Sequence, residues 1–240
     1  MKVAQLKYFK RIFRLASSTP NSFLFLELGI LPIEGEIHKR QLMYLHRILM
    51  LPMEDPVHQM FLNIMELSEK GEDNWWTQVK PLLPKYNLPE NLNEIAQLTK
   101  EAFKKRVRKG VTDVMFNELK QECESLKKTA GLHYDVLELQ EYLKVLYPNQ
   151  ARVVLKSRCK TLDIKTHNTY KYKEDTVCRG CEVEEETLQH VLNCGHKEAI
   201  NLDVTKLDLS EELMVTKLIH AVNRILAFDE ISNSALEKTR

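Results

Sequence analysis

The sequence predicts a mostly α-helical chain, in which a multi-helix domain precedes a small Cys/His segment and a C-terminal helix. Glycine and proline are scarce, 7 and 8 of 240 residues, so few positions force the backbone out of a helix. Apolar residues recur at three- and four-residue spacing through most of the chain, whereas the period-two alternation of a half-buried strand is hard to find.

Residues 3–15 place Val3, Leu6, Tyr8, Phe9, Ile12, Phe13 and Leu15 at helical spacing, with Lys7, Lys10, Arg11 and Arg14 elsewhere on the wheel. The Ser17-Ser18-Thr19-Pro20-Asn21 cluster stops that helix and caps a second over 23–28, which Gly29 ends. A third helix over 34–51 turns Ile37, Leu42, Leu45, Ile48 and Leu49 inward, and Pro52 and Pro56 break it. Residues 57–69 form the next, and the polar 70–74 turn separates it from a helix opened by Trp75 and Trp76. These tryptophans suit either core anchoring or base stacking.

Pro81, Pro84 and Pro89 make 81–89 the best linker candidate. A helix over 93–109 follows, closed by Gly110; Thr112 then caps another whose buried side includes Val114, Met115, Leu119, Cys123 and Leu126. Gly131 ends it. Helices over 136–146 and 150–160 lead to a polar, extended 161–173 stretch, and Ser210, Glu211 and Glu212 open a last helix that frays from Ser232. The expected division is 1–90, 91–170 and 171–240.

Cys178-Arg179-Gly180-Cys181, with His190 and Cys194, spells C-x2-C-x8-H-x3-C and holds three of the five cysteines. Two thiolates on a short turn and two further ligands at i, i+4 on a helix can close a tetrahedron around zinc. His196 is an alternative to Cys194 as fourth ligand. A redox Cys-x-x-Cys would sit in a βαβ unit, which the pattern lacks. Four protein ligands leave no open position for a catalytic water, so the zinc is expected to be structural. Cys123 and Cys159 read as packed thiols. Cysteines of this kind, and the lack of a long apolar run, predict a soluble intracellular protein with nucleus and cytosol both open and no membrane contact.

The net charge of +1 hides an asymmetry: 17 Lys/Arg face 9 Asp/Glu over 100–173, but 7 face 14 over 174–240. Lys100, Lys104 and Arg108 recur at i, i+4 and i+8, joined by Lys105, Arg106 and Lys109, and Arg152, Lys156 and Arg158 form a second basic set. Such a surface is either a solvated helix face or a contact for nucleic-acid phosphates. The acidic end suits a protein partner. No phosphate-binding Gly-rich loop, nucleophile elbow or metalloprotease motif occurs. Asp203, Asp208, Glu211 and Glu212 read as a solvated helix start rather than a nuclease centre.

Two stretches resemble the region downstream of the reverse-transcriptase palm in non-LTR (LINE-type) retrotransposon polyproteins. One runs from Arg11-Ile12-Phe13-Arg14-Leu15 through Ser18-Thr19-Pro20-Asn21 to Leu26-Glu27-Leu28-Gly29-Ile30-Leu31-Pro32-Ile33, followed by Arg40, Leu42, Leu45, His46 and Ile48-Leu49. The other is Leu155-Lys156-Ser157-Arg158, then Cys178, Cys181, Glu186-Thr187, His190 and Cys194. The resemblance implies a helical post-palm segment and a CCHC zinc knuckle ligated by Cys178, Cys181, His190 and Cys194, helping to grip template RNA or target DNA. The polymerase's paired aspartates have no counterpart here. The expectation is therefore a nucleic-acid-binding module without catalysis, whether a fragment, a degenerate copy or a host gene of that origin. A protein-interaction scaffold, or a reverse-transcriptase fragment active only with its palm, is the alternative.

Overall fold

The structure, a computed structural model, describes residues 2–173, 175–195, 200, 203–204 and 212–237. It is mostly helical, and among the described residues the only β pairing is an isolated antiparallel bridge between Val177 and Glu185. The chain divides into two compact units, one formed by 1–5 and 31–118 and the other by 6–30 and 119–240.

The first helix, α1, is Lys2–Ile12. It stops short of the expected Leu15 because the chain turns at Arg14, where φ is 47°. The buried helix α2 is Asn21–Leu28. In the unit containing 31–118, α3 (Ile33–Leu49), α4 (Pro56–Glu69), α5 (Trp75–Val79), α6 (Leu82–Lys85) and α7 (Leu92–Gln97) surround one core with the first part of α8 (Lys100–Ser125). Asp55 caps α4 by accepting from the Val57 amide at 2.8 Å, and Pro56 supplies the preset φ of a first helical position. Asn74 and Thr77 form a reciprocal capping box on α5, which inserts Trp76 edge-on against Phe61 at 5.4 Å.

Three sequence expectations change in this unit. The proline-rich 81–89 stretch is core rather than linker: Leu82, Leu83, Tyr86 and Leu88 are all buried. The 93–109 helix is instead interrupted at Leu98, whose extended ψ of 139° ends α7 while its carbonyl accepts from His46 Nε2 at 2.9 Å. Thr99 then caps α8 through its hydroxyl to the Ala102 amide. Gly110 and Thr112 form no break, and α8 passes through both. A Cβ on Gly110 would lie 2.3 Å from the Tyr86 carbonyl oxygen, so glycine serves close backbone approach here, not termination.

The other unit is built on α2. Phe23, Leu24, Phe25, Leu26 and Glu27 are all fully buried, as befits a helix apolar on every side. Gly29 ends it at φ 62°, and a Cβ there would meet the 138–139 backbone at 2.2 Å. The Glu27 carboxylate accepts from the hydroxyls of Tyr134 and Tyr142 and from Arg158 Nε. Of the expected 136–146 helix only α9 (Glu141–Val145) forms, because the Gln140 amide is drawn to the Glu27 carbonyl. The next helix, α10, is Pro148–Arg158. The 161–173 stretch is turns and the short α11 (Thr169–Tyr172), tied by Asn168 Nδ2 to the Leu162 carbonyl at 2.6 Å.

After the Cys/His segment and α12 (Leu188–Asn193) comes α13 (Glu212–Glu237), whose backbone stays helical past Ser232. Its Leu218, Ala221, Val222, Ile225 and Phe228 are buried, and it packs against α10 and α12. Ser210, Glu211, Asp208 and His196 lie outside the described residues. Among those described, no helix is long and apolar enough to cross a membrane.

Candidate metal centre

Local hydrogen bonding prepares the Cys178–Cys181 turn. The Cys178 amide donates to the Glu184 carbonyl at 2.7 Å and the Glu182 amide returns to the Cys178 carbonyl at 2.9 Å, closing a small loop beside the Val177–Glu185 bridge. The Gly180 amide donates to Cys178 Sγ at 3.3 Å, the kind of bond that spreads thiolate charge. A Cβ on Gly180 would lie 3.0 Å from the Phe228 ring and 3.3 Å from Cys194 Sγ, so the missing side chain lets the turn sit close against α13.

The second pair of donors comes from α12. Thr187 caps it by accepting from the His190 amide at 3.0 Å, and His190 and Cys194 then fall one turn apart on the same side. Cys178 Sγ lies 3.8 Å from Cys194 Sγ, and Cys181 Sγ lies 3.3 Å from His190 Nε2. The donor atoms of Cys178, Cys181, His190 and Cys194 all fall within 4.8 Å of one another, so the cluster can hold one metal ion. Cys178 is buried and the other three are half-buried. His190 Nδ1 donates to Glu184 at 2.9 Å; a carboxylate only accepts, so the proton sits on Nδ1 and the Nε2 lone pair faces the cysteines.

The thiols differ in readiness to ionise. Amides of Glu184 and Val183 bring Cys181 down to about 7, while burial, then the neighbouring Cys178 sulfur, pushes Cys194 up to about 12. A cation among them would supply the charge that lets both ionise.

Behind the loop, the fully buried Glu186 accepts from Arg179 Nη2 at 2.6 Å and from the amides of Arg179 and Lys165 at 2.9 and 3.0 Å. Burial opposes its ionisation, but Arg179 outweighs burial and holds the carboxyl below its ordinary value. Arg179 also stacks over the Tyr172 and Phe228 rings at 5.2 and 5.7 Å, anchoring the loop to both. Neither Glu184 nor Glu186 stands out in the sequence as a supporting group. Thr187, three residues before His190, carried a legible capping signal.

The predicted cations separate into three environments. Lys100, Lys104, Lys105, Arg106, Arg108 and Lys109 are all exposed on α8. Lys104, Lys105, Arg108 and Lys109 line one shallow groove with Glu101, Thr112 and Asp113. Lys100 instead borders an apolar groove with Met43, His46, Arg47, Met50 and Leu51, and Arg106 lines neither groove. On α10, Arg152 and Lys156 are half-buried, while Arg158 is buried against Glu27 and is no surface phosphate contact. Cys123 and Cys159 are buried away from the cluster, burial pushing each thiol up to about 11. Comparisons with protein-family models, curated proteins and solved structures found no match.

Proposed function

We propose that the chain is a zinc-stabilised nucleic-acid-binding module of non-LTR retrotransposon derivation that grips RNA or DNA without a catalytic centre of its own. The observation that carries the binding role is the four-cation face of Lys104, Lys105, Arg108 and Lys109, all exposed along one side of α8. Among the described residues none of these four forms an ion pair, so their charge is available to displace counterions from phosphates. Glu101 and Asp113, before and after the four cations on the same groove, reduce its net charge.

Zinc is the ion the donor set favours. Bonds of about 2.3 Å to sulfur and about 2.0 Å to nitrogen set tetrahedral edges of about 3.8 Å between sulfurs and about 3.5 Å between sulfur and nitrogen. Two of the six donor separations match these edges, Cys178–Cys194 at 3.8 Å and Cys181–His190 at 3.3 Å, and all four donors lie within 4.8 Å of one another. When bound, the ion would hold the 178–194 loop to α12; the surrounding residues orient the ligands and keep the site dry on the Cys178 side. The retrotransposon derivation rests on the resemblance of the two stretches described above.

The test is a gel-shift titration with single-stranded RNA and with duplex DNA at two salt concentrations. Affinity is expected to fall steeply with salt, and Lys104→Glu with Arg108→Glu to weaken it by about tenfold or more. Binding indifferent to both changes overturns the proposal. A second reading, a protein-interaction scaffold, is favoured by Val183, 80% exposed among Glu182, Glu184 and Glu185; it predicts no gel shift at either salt.

A further inference from the structure

The carboxyl end of α3 borders an apolar groove of about 500 Å³, a volume within the range of preformed binding pockets. Met43, His46 and Arg47 of α3 line it with Met50 and Leu51 just beyond that helix and Lys100, the first residue of α8. Its floor is fixed: His46 is 3% exposed, donates from Nε2 to the Leu98 carbonyl at 2.9 Å and stacks on Phe103 at 4.9 Å. Its edge is open to water. Met50 is 57% exposed, and Met53 and Met60, in the ten residues that follow, are 55% and 64% exposed. Methionine is among the side chains most often fully buried, so three exposed in one short stretch call for an explanation. Flexible thioether chains gathered on a surface adapt to the apolar side chains of a partner.

Two cations frame the methionines. Arg47 and Lys100 are both exposed and stand on different helices, and among the described residues neither forms an ion pair. No carboxylate lines the groove, and the amino end of α8 adds the positive pole of a helix dipole beside Lys100. A phosphate backbone drawn by these charges would leave the methionines wet, whereas a purely apolar segment would leave the cations unanswered. A partner that meets both carries carboxylates beside apolar side chains. Met43 and Met50 lie seven positions apart, about 10.5 Å along the helix, which is the spacing of the i and i+7 anchors of a docked helix.

We propose that this groove docks an acidic amphipathic helix of a partner protein, whose apolar face covers Met43, Met50 and Leu51 while its carboxylates pair with Arg47 and Lys100. The site is separate from the face of Lys104, Lys105, Arg108 and Lys109, and it does not depend on nucleic-acid binding there.

The probe is a fluorescent peptide of about 18 residues, long enough to form a helix, with leucines at i, i+3 and i+7 and glutamates flanking them. It is titrated into the full-length protein carrying isotope-labelled methionine methyls. Saturable anisotropy is expected, with shifts of the Met43 and Met50 methyl resonances and none at Met115, which is buried on α8. Met50→Ser should weaken binding by about tenfold or more, the loss of one covered methionine. Arg47→Glu with Lys100→Glu should weaken the glutamate peptide about as much and should bind a peptide whose glutamates are replaced by lysines. All three substitutions fall at exposed positions, so the fold is expected to survive them. Absence of saturable binding, unmoved Met43 and Met50 methyls, or undiminished affinity in both variants overturns the site. An oligonucleotide that shifts the same methyls and displaces the peptide overturns the assignment to a protein partner.

Discussion

Glu27 and Arg158, 131 positions apart, meet as a buried ion pair at 2.9 Å, with side-chain exposures of 0% and 4%. Tyr134 and Tyr142 complete the carboxylate's shell, and Arg158 spends another donor on the Val204 carbonyl at 2.6 Å. Burial works against the charge on Arg158, but Glu27 more than offsets it. The pair therefore depends on both members being present. Arg158→Met should cost about 3–5 kcal/mol, because it strands a carboxylate inside the unit. Urea unfolding measures this, and Lys156→Met, two residues before it on α10 and half-buried, is the control expected to change stability little.

The metal centre gives a second prediction. The purified protein should carry one zinc per chain by elemental analysis, and Cys181→Ser should lose it while Cys123→Ser retains it. Glu184→Gln keeps every ligand but weakens the acceptor that fixes the His190 ring, so zinc affinity should fall by about 10- to 100-fold in a chelator competition. Chelation should release amide-exchange protection in α12 before α3 and α4.

Gly110 offers a test with opposite signs. On helix propensity alone, Gly110→Ala stabilises by about 1 kcal/mol. A Cβ placed 2.3 Å from the Tyr86 carbonyl oxygen forces the α8 backbone or the Tyr86 turn to move. Destabilisation by about 1–3 kcal/mol is expected from thermal melts, and a rise in melting temperature would falsify the close-approach account.

His167 carries the pH prediction. Its Nδ1 is buried without a partner, and burial, helped by Lys160 and Lys128, brings its pKa down to about 4. An unfolded histidine titrates near 6.5. Between these values the unfolded chain binds the extra proton, so this contribution is complete above about pH 6.5 and is lost as the pH falls toward 4. The loss is on the order of 3 kcal/mol. Stability measured across that window should drop less in His167→Gln than in wild type.

What the sequence made legible was whatever depends on near neighbours. The ligand spacing of Cys178, Cys181, His190 and Cys194 is local, and those four donors do converge. The faces of α3 and α13 follow from periodicity, and Leu42, Leu45, Leu218 and Val222 are buried as the spacing requires. Arg158 reads as a surface cation because no acidic residue lies within one helical turn of it; its partner is Glu27, which only the tertiary fold supplies. Gly110 looked like a stop signal for the same reason, since the Tyr86 backbone that demands a glycine comes from a different turn. The prolines at 81, 84 and 89 punctuate short helices inside a core rather than separating domains, because the leucines and tyrosine between them have apolar neighbours to bury against.

The burial of α2 on every side has a consequence for biosynthesis. Phe23 to Leu26 leave the ribosome long before Tyr134, Tyr142 and Arg158, the residues that close around the neighbouring Glu27, have been made. At about 5–20 residues per second, the interval is on the order of 10 s. For that time a wholly apolar turn carrying one carboxylate has no native shelter, so the nascent chain is a natural client for a chaperone until its second half arrives.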